Sequence, residues 1–244
     1  MQYILYILFI NFLLSNPQDY AKKSDNLNLN GKYNEELVEL NNAILLYPNN
    51  VDILWRIARA HFEIADQTDN INIHKKHFYP GFKAVESAVR INPNSSKANH
   101  WYAVLVGKIG MLEGTEQKIK NSYKVEKYAL KAIELDPSYD GTYHVMGRWH
   151  YELANLSWFE RKIAEWVYTT PPNGGYEQAI FFFKKAINVK NDEIRHYFWL
   201  AKTYLKMSAN KEAEKIFKKI LTLTPFDNSD VNMQSESKVY LENI

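Results

Sequence analysis

The chain contains no cysteine. That excludes disulfides, thiolate metal sites and a cysteine nucleophile, while leaving the compartment open. Glycine and proline are also scarce, nine and eight among 244 residues, too few for a turn-rich all-β fold. Neither sign of charge dominates: 30 Lys and Arg face 28 Asp and Glu for a formal charge of +2. Bulk electrostatic attraction to nucleic acid is therefore not expected. The one long apolar run is Met1 to Leu14, MQYILYILFINFLL. As a helix it would reach about 21 Å, against roughly 30 Å of bilayer hydrocarbon. What is abundant is aromatic: 17 Tyr, 12 Phe and 6 Trp in a chain that is 46% hydrophobic. A chain of this length buries roughly 70 to 75% of its unfolded surface, and bulky rings with few breakers suit long packed helices.

Residues 1–15 have the length of a signal-peptide core or short membrane anchor, although no Lys or Arg precedes the run and no A-x-A site follows it. Without a cysteine, a lipoprotein anchor is excluded. The expectation is a protein exported or anchored through this segment, periplasmic if bacterial. The alternative is a cytoplasmic chain in which the run is simply a first helix. Residues 16–32, polar and rich in Asn, read as a linker.

Internal repetition organises the rest. Ala43 to Pro48, Ala88 to Pro93 and Ala132 to Pro137 each place a proline five residues after an alanine. A small residue there lets a neighbouring helix come close, and the proline forces the turn that follows. Ala179, Phe183 and Ala186 before Asn191, then Ala213, Phe217 and Ile220 before Pro225, are two further copies with altered ends. Asn191 to Pro225 spans 34 residues, the tetratricopeptide period, with Tyr197, Leu200, Ala201 and Tyr204 at first-helix positions. Earlier intervals of 45, 44 and 54 residues require longer helices or insertions. The reading is an all-α, tetratricopeptide-like solenoid over 33–228 with one inserted helix and a capping helix over 229–244. Expected helices are Tyr33 to Leu46, Asp52 to Ala65, Ile71 to Ile91 with a kink or break at Pro80-Gly81, Lys97 to Met111, and Thr115 to Leu135. They continue with Gly141 to Leu153, Ser157 to Tyr168, Tyr176 to Val189, Glu193 to Met207, Lys211 to Leu223, and a last one from Asp230.

In such an array the first helix of each repeat lines the concave side. Relative to the small residues Ala58, Ala103, Gly147 and Ala201, the positions three before are Trp55, His100, His144 and Phe198. One after them stand Arg59, Val104, Arg148 and Lys202. Three cations beside rings suit an acidic peptide, a C-terminal carboxylate or a lipid phosphate. The competing reading makes Trp55 and Phe198 core and pairs the cations with acids such as Asp52 and Glu152. A second basic feature, Lys120, Lys124, Lys127 and Lys131, falls on one helix face, either contacting anionic lipid or a partner, or simply solvated.

Signatures of catalysis are few. His74 and His77 form H-x-x-H without the H-E-x-x-H of a zinc site, and Gly107, Gly110 and Gly114 lack the Lys-Ser/Thr of a phosphate loop. Glu160, Arg161 and Lys162 suit pairing within their own helix region. No enzyme activity, cofactor or resident metal is expected.

The strings Leu54-Trp55-Arg56-Ile57-Ala58-Arg59-Ala60, His100-Trp101-Tyr102-Ala103, Glu113-Gly114, Gly147-Arg148-Trp149 and Leu156-Ser157-Trp158-Phe159-Glu160-Arg161-Lys162 resemble the regulator of microtubule dynamics family in order and spacing. The resemblance runs from about Tyr33 to Thr224. It implies a helical tetratricopeptide-like domain, often behind an N-terminal membrane or targeting segment, acting as a binding scaffold. Microtubules enter as a partner through this resemblance only. The leading expectation is a noncatalytic scaffold for a protein segment. Next come a groove for phospholipid or another acidic amphiphile, and then an enzyme using His74, His77 or His144.

Overall fold

The computed structural model describes residues 16–167, 172 and 174–244. The described residues form twelve helices: α1 (Pro17–Leu29), α2 (Tyr33–Leu46), α3 (Val51–Asp66), α4 (Ile71–Ile91), α5 (Ser96–Glu113), α6 (Thr115–Leu135), α7 (Asp140–Ala154), α8 (Trp158–Val167), α9 (Tyr176–Val189), α10 (Ile194–Lys206), α11 (Asn210–Ile220) and α12 (Asn228–Asn243). Helices adjacent in sequence pack against one another except α8, which touches α6; the heaviest packing is between α5 and α6, α3 and α4, and α7 and α9. The repeats are therefore α3–α4, α5–α6, α7–α9 with α8 inserted, and α10–α11.

The small positions act as spacers. Ala58, Ala103 and Ala201 are fully or almost fully buried. A Cβ on Gly147 would stand 2.6 Å from the Phe183 ring of α9, so only glycine permits that crossing. Gly114, at φ 94°, joins α5 to α6 in a conformation that favours glycine. One large core runs through α3 to α7. A second, built on Phe198, Phe217 and Ile220 of the last repeat, is covered by Met233, Tyr240 and Leu241 of α12.

Two expectations are corrected. Residues 17–29 are a helix and not a linker. Asn16 closes a capping box with Asp19, and Pro17 starts the first turn. The helix has almost no apolar stripe because polar groups fasten it. Ser24 Oγ donates to Glu36 Oε1 at 2.7 Å, and Asn28 Nδ2 to Glu36 Oε2 at 2.9 Å. Asp25 receives Arg56 at 2.7 Å and Arg59 at 2.9 Å. Periodicity of hydrophobic residues cannot reveal a helix held this way. Pro80 does not divide its helix either; α4 continues through it, with Gly81 against His61 and Leu105.

Other differences are at ends. Asp227 caps α12, which begins at Asn228, and α11 stops at Ile220. The expected end of the inserted helix at Tyr168 and the run Met1 to Leu14 lie outside the described residues. Among the described residues no helix is long and apolar enough to cross a membrane.

Candidate functional site

The first helices of the repeats, α3, α5, α7 and α10, surround a concave cavity of about 620 Å³. Its fifth side is α12, which presents Ser229, Asn232, Met233 and Glu236, one face of a helix by their spacing. Six of the seven groove residues singled out from the sequence border this space: Arg59, His100, His144, Arg148, Phe198 and Lys202. Trp55 does not. It is buried in the core, its indole Nε1 donates to Asp52 Oδ1 at 3.0 Å, and the Arg56 guanidinium lies over its ring at 4.0 Å. Phe198 is shared, 3% exposed and packed edge-on to Phe217 while bordering the cavity.

The three cations differ in what they are free to do. Arg59 is committed to structure, donating to the fully buried Glu36 at 2.6 Å and pairing with Asp25. Although burial opposes it, these two acids hold the guanidinium's pKa above its usual value. Arg148 bonds Glu152 at 3.3 Å, and burial pulls its pKa down against that acid's help. Its guanidinium stacks 3.4 Å above the Trp199 ring. Lys202 makes no ion pair among the described residues; its ammonium lies 4.7 Å from the same ring, and burial lowers its pKa. Trp199 is thus within cation–π distance of two cations.

The wall as a whole is not basic. Six cations, Arg59, Lys108, Lys118, Arg148, Arg195 and Lys202, face five acids, Glu63, Asp66, Asp69, Glu152 and Glu236. Lys108 holds Asp66 at 2.8 Å and Lys118 holds Glu152 at 2.9 Å. Burial raises the Glu63 carboxyl to about 7, with Arg195 opposing and Asp66 adding to the shift. What distinguishes the wall is unspent donors. Trp101 Nε1 and Arg148 Nε are buried without a protein acceptor, and both residues border the cavity.

The histidines are fixed as neutral groups. His100 is pushed to about 3 by burial and its Nδ1 lies 3.1 Å from the Thr142 hydroxyl. His196 Nε2 is 2.9 Å from Asp140 Oδ2, and His196 Nδ1 is 3.1 Å from His144 Nδ1. With His196 Nε2–H donating to the Asp140 carboxylate, neutral His196 Nδ1 must accept from His144 Nδ1–H, leaving the lone pair on His144 Nε2. Burial lowers the pKa of both rings. Elsewhere, His74 Nε2 lies 2.6 Å from the Thr68 carbonyl and His77 Nδ1 is 3.0 Å from His61 Nδ1. No group of three His, Asp or Glu among the described residues is arranged to hold a metal.

The lysine stripe lies along the outside of α6. Lys120 pairs with Glu116 at 3.0 Å and Lys131 with Glu134 at 3.0 Å. Lys124 is exposed, and Lys127 and Lys131 border a second hollow of about 480 Å³. On α8, Ser157 and Glu160 form reciprocal capping bonds. Arg161 reaches the Leu153 carbonyl and Lys162 pairs with Glu165 at 2.7 Å, so these three charges serve the inserted helix.

Sequence reasoning missed Trp199, Trp101, Arg195 and Glu63. For Glu63 and Arg195 the signal lay one turn along the stripe, at i+4 from Arg59 and i−3 from Phe198; Trp101 and Trp199 stand beside His100 and Phe198 in sequence, off that stripe, and carried no such signal.

Comparison with known proteins fits this architecture. Residues 20–244 match the family described as regulator of microtubule dynamics protein 1-3. Regulator of microtubule dynamics protein 1 of Bos taurus is 34% identical over 188 residues, 76% of this chain and 59% of that protein. The mouse protein 1 is 32% identical over 83% of this chain and 68% of its own length. Mouse protein 3 is 30% identical over 81% and 42%. The chain spans about three-fifths of the length of the bovine relative. Among solved structures, the thermophilic tetratricopeptide-repeat protein TTC0263 of Thermus thermophilus superposes with a TM-score of 0.69 at 16% identity, covering 92% of this chain and 98% of that one. MamA superposes at 0.50 and 16% identity, over 89% and 97%. The repeat frame, the Gly147-Arg148-Trp149 crossing and the inserted α8 thus sit in a chain that belongs to the regulator of microtubule dynamics protein family.

Proposed function

We propose that this protein is a noncatalytic interaction scaffold whose concave cavity takes a short protein segment bearing a carboxylate. The supporting observation is the convergence of Arg148 and Lys202 on Trp199, in a wall that also holds the acceptor-less donors Trp101 Nε1 and Arg148 Nε. A carboxylate would pair with the Lys202 ammonium and the Arg148 guanidinium by charge-assisted bonds, and Trp199 offers a ring to an apolar neighbour. About 620 Å³ lies in the usual range of compact ligand sites, so a few residues enter and not a long helix. The buried, neutral histidines favour a binding wall over an acid–base centre.

A second reading, an acidic amphiphile in the same space, is favoured by the apolar wall of Phe62, Val104, Val145 and Phe198 beside the cations. Both readings are tested on an immobilised array of short peptides with free C-terminal carboxylates, run beside lipid extraction of the purified chain. Lys202→Glu and Trp199→Ala should each lower peptide capture at least tenfold with the helical content unchanged. Capture that is indifferent to both variants refutes the peptide reading, and stoichiometric co-purifying lipid lost in Lys202→Glu would favour the amphiphile. Arg59→Glu is a poor probe, since Arg59 fastens α1.

Two expectations remain proposals with their own assays. Residues 1–15 attach or target the chain to a membrane, to be checked by cell fractionation with N-terminal sequencing. The lysine stripe Lys120, Lys124, Lys127 and Lys131 contacts an anionic surface, to be checked by sedimentation with phosphatidylserine vesicles. Binding to microtubules, the subject of the relatives' name, is decided by co-pelleting.

A further inference from the structure

The two ends of the solenoid approach each other beside the cavity, where Asp227 is linked to Gln67 of its wall. Asp227 precedes α12 and accepts the Asp230 backbone N–H at 3.0 Å through Oδ1, capping the helix. Its other oxygen accepts from Gln67 Nε2 of the residue following α3, 160 positions away in sequence, at 3.4 Å. The Asp227 carboxylate also acts on the hydroxyl of Tyr33, at the start of α2, which burial and this and other neighbouring acids push above its usual pKa. One carboxylate thus joins the first helices of the fold to the last.

The contact is weak by construction. At 3.4 Å the Gln67 bond is longer than ordinary N–H···O bonds, and α3 and α12 do not otherwise pack as neighbours. The acids Glu63, Asp66 and Asp227 act on one another around it, with Arg195 as the opposing cation. On its other side α12 is held firmly. Tyr240 stacks on Phe217 at 5.0 Å, nearly parallel, and Gln234 Nε2 donates to the Ile220 and Leu223 carbonyls at 3.1 and 2.8 Å. The strong attachments of α12 are all to its own end of the solenoid.

The covered space is the candidate site itself. Ser229, Asn232, Met233 and Glu236 line the cavity from α12, and Glu236 is the acid whose field supports the charge on Lys202. The helix therefore stands where part of a ligand's acidic surface would stand. We propose that α12 is a built-in lid over the cavity and that Asp227, with Tyr33 and Gln67, is its latch. Ligand enters when the two ends of the solenoid part. This rests on the cavity being the binding site, and the test separates the two.

The absence of cysteine makes that test clean. In Gln67→Cys/Asp227→Cys the only two thiols stand at the latch, and a short bis-maleimide couples them. The probe is 1-anilinonaphthalene-8-sulfonate, an anionic aromatic dye suited to cations beside rings, followed by stopped-flow fluorescence. The coupled protein should admit the dye at least tenfold more slowly than wild type. Gln67→Ala, which opens the latch without touching the α12 cap, should admit it several-fold faster. Equal rates in all three, with Lys202→Ala still weakening dye binding, would overturn the lid while leaving the cavity site intact. If Lys202→Ala leaves the dye untouched, the dye is not in the cavity, and spin labels on Glu35→Cys/Asn228→Cys decide the latch alone. A distance distribution that broadens when Gln67→Ala is added supports it; an unchanged distribution overturns it.

Discussion

The two ends of the solenoid are sealed by opposite kinds of chemistry. At the first end, α1 is fastened to α2 and α3 by Ser24, Asp25, Glu36, Arg56 and Arg59, a network with Glu36 and Ser24 fully buried. At the last end, α12 is fastened by stacked rings, Tyr240 on Phe217 beside Phe198. Buried ion networks gain little net stability, because desolvation offsets attraction, yet removing one partner is costly. Burial of apolar rings scales with the area removed from water and does not depend on pH. The first end should therefore be the one that discriminates, failing when a single partner or the pH changes, while the last end degrades in proportion to area removed.

The largest expected effects break each seal directly. Glu36→Ala leaves Arg59 buried without its main acid and should cost about 3 to 5 kcal/mol, and Phe217→Ala should cost a similar amount through the cavity it leaves. Chemical denaturation measures both. The comparison is sharpened by acid: Arg56 and Arg59 hold the Asp25 carboxyl below its usual range against the cost of burial. The stability this contributes is whole above the unfolded value near 4 and is lost as pH falls through the lower folded one. Hydrogen exchange at pH 3 should show α1 opening before α12; the reverse order would refute the contrast.

A smaller effect lies between the ends. Glu63, raised to about 7, binds its proton more tightly folded than unfolded, so wild-type stability should fall as pH rises from about 4.5 to 7. Glu63→Gln should flatten that slope, gaining on the order of 1 to 3 kcal/mol at pH 8 relative to wild type. Thermal melts at pH 5 and pH 8 check it. The smallest change expected is Ser24→Ala, which removes one donor to Glu36 at a cost of about 1 kcal/mol, read from the denaturation midpoint.

Much of the fold was legible because it is written in periodic small and apolar residues. Ala43, Ala88, Ala132 and the prolines after them mark the helix ends, and Gly147 marks a close crossing. α1 was not legible, since Ser24, Asp25 and Asn28 carry no hydrophobic pattern and find their partners only in three dimensions. In the cavity, position relative to the small residues located six wall residues. The leading reading misjudged their charge: Arg59 is answered by Asp25 of α1 and Glu36 of α2, far away in sequence, while Arg148 pairs with Glu152 as the competing reading has it. Trp55 fails for a related reason: the register that turns Phe198 toward both core and cavity turns Trp55 into core alone.

The wall around Trp199 is the proposed place where a partner is held. Titration calorimetry of the full chain with a carboxylate-ended peptide selected from the array tests it most directly, comparing wild type with Lys202→Ala and with Lys218→Ala, an exposed cation on α11. Binding weakened at least tenfold by Lys202→Ala and unaltered by Lys218→Ala is the predicted result. Equal affinity for all three proteins would contradict it.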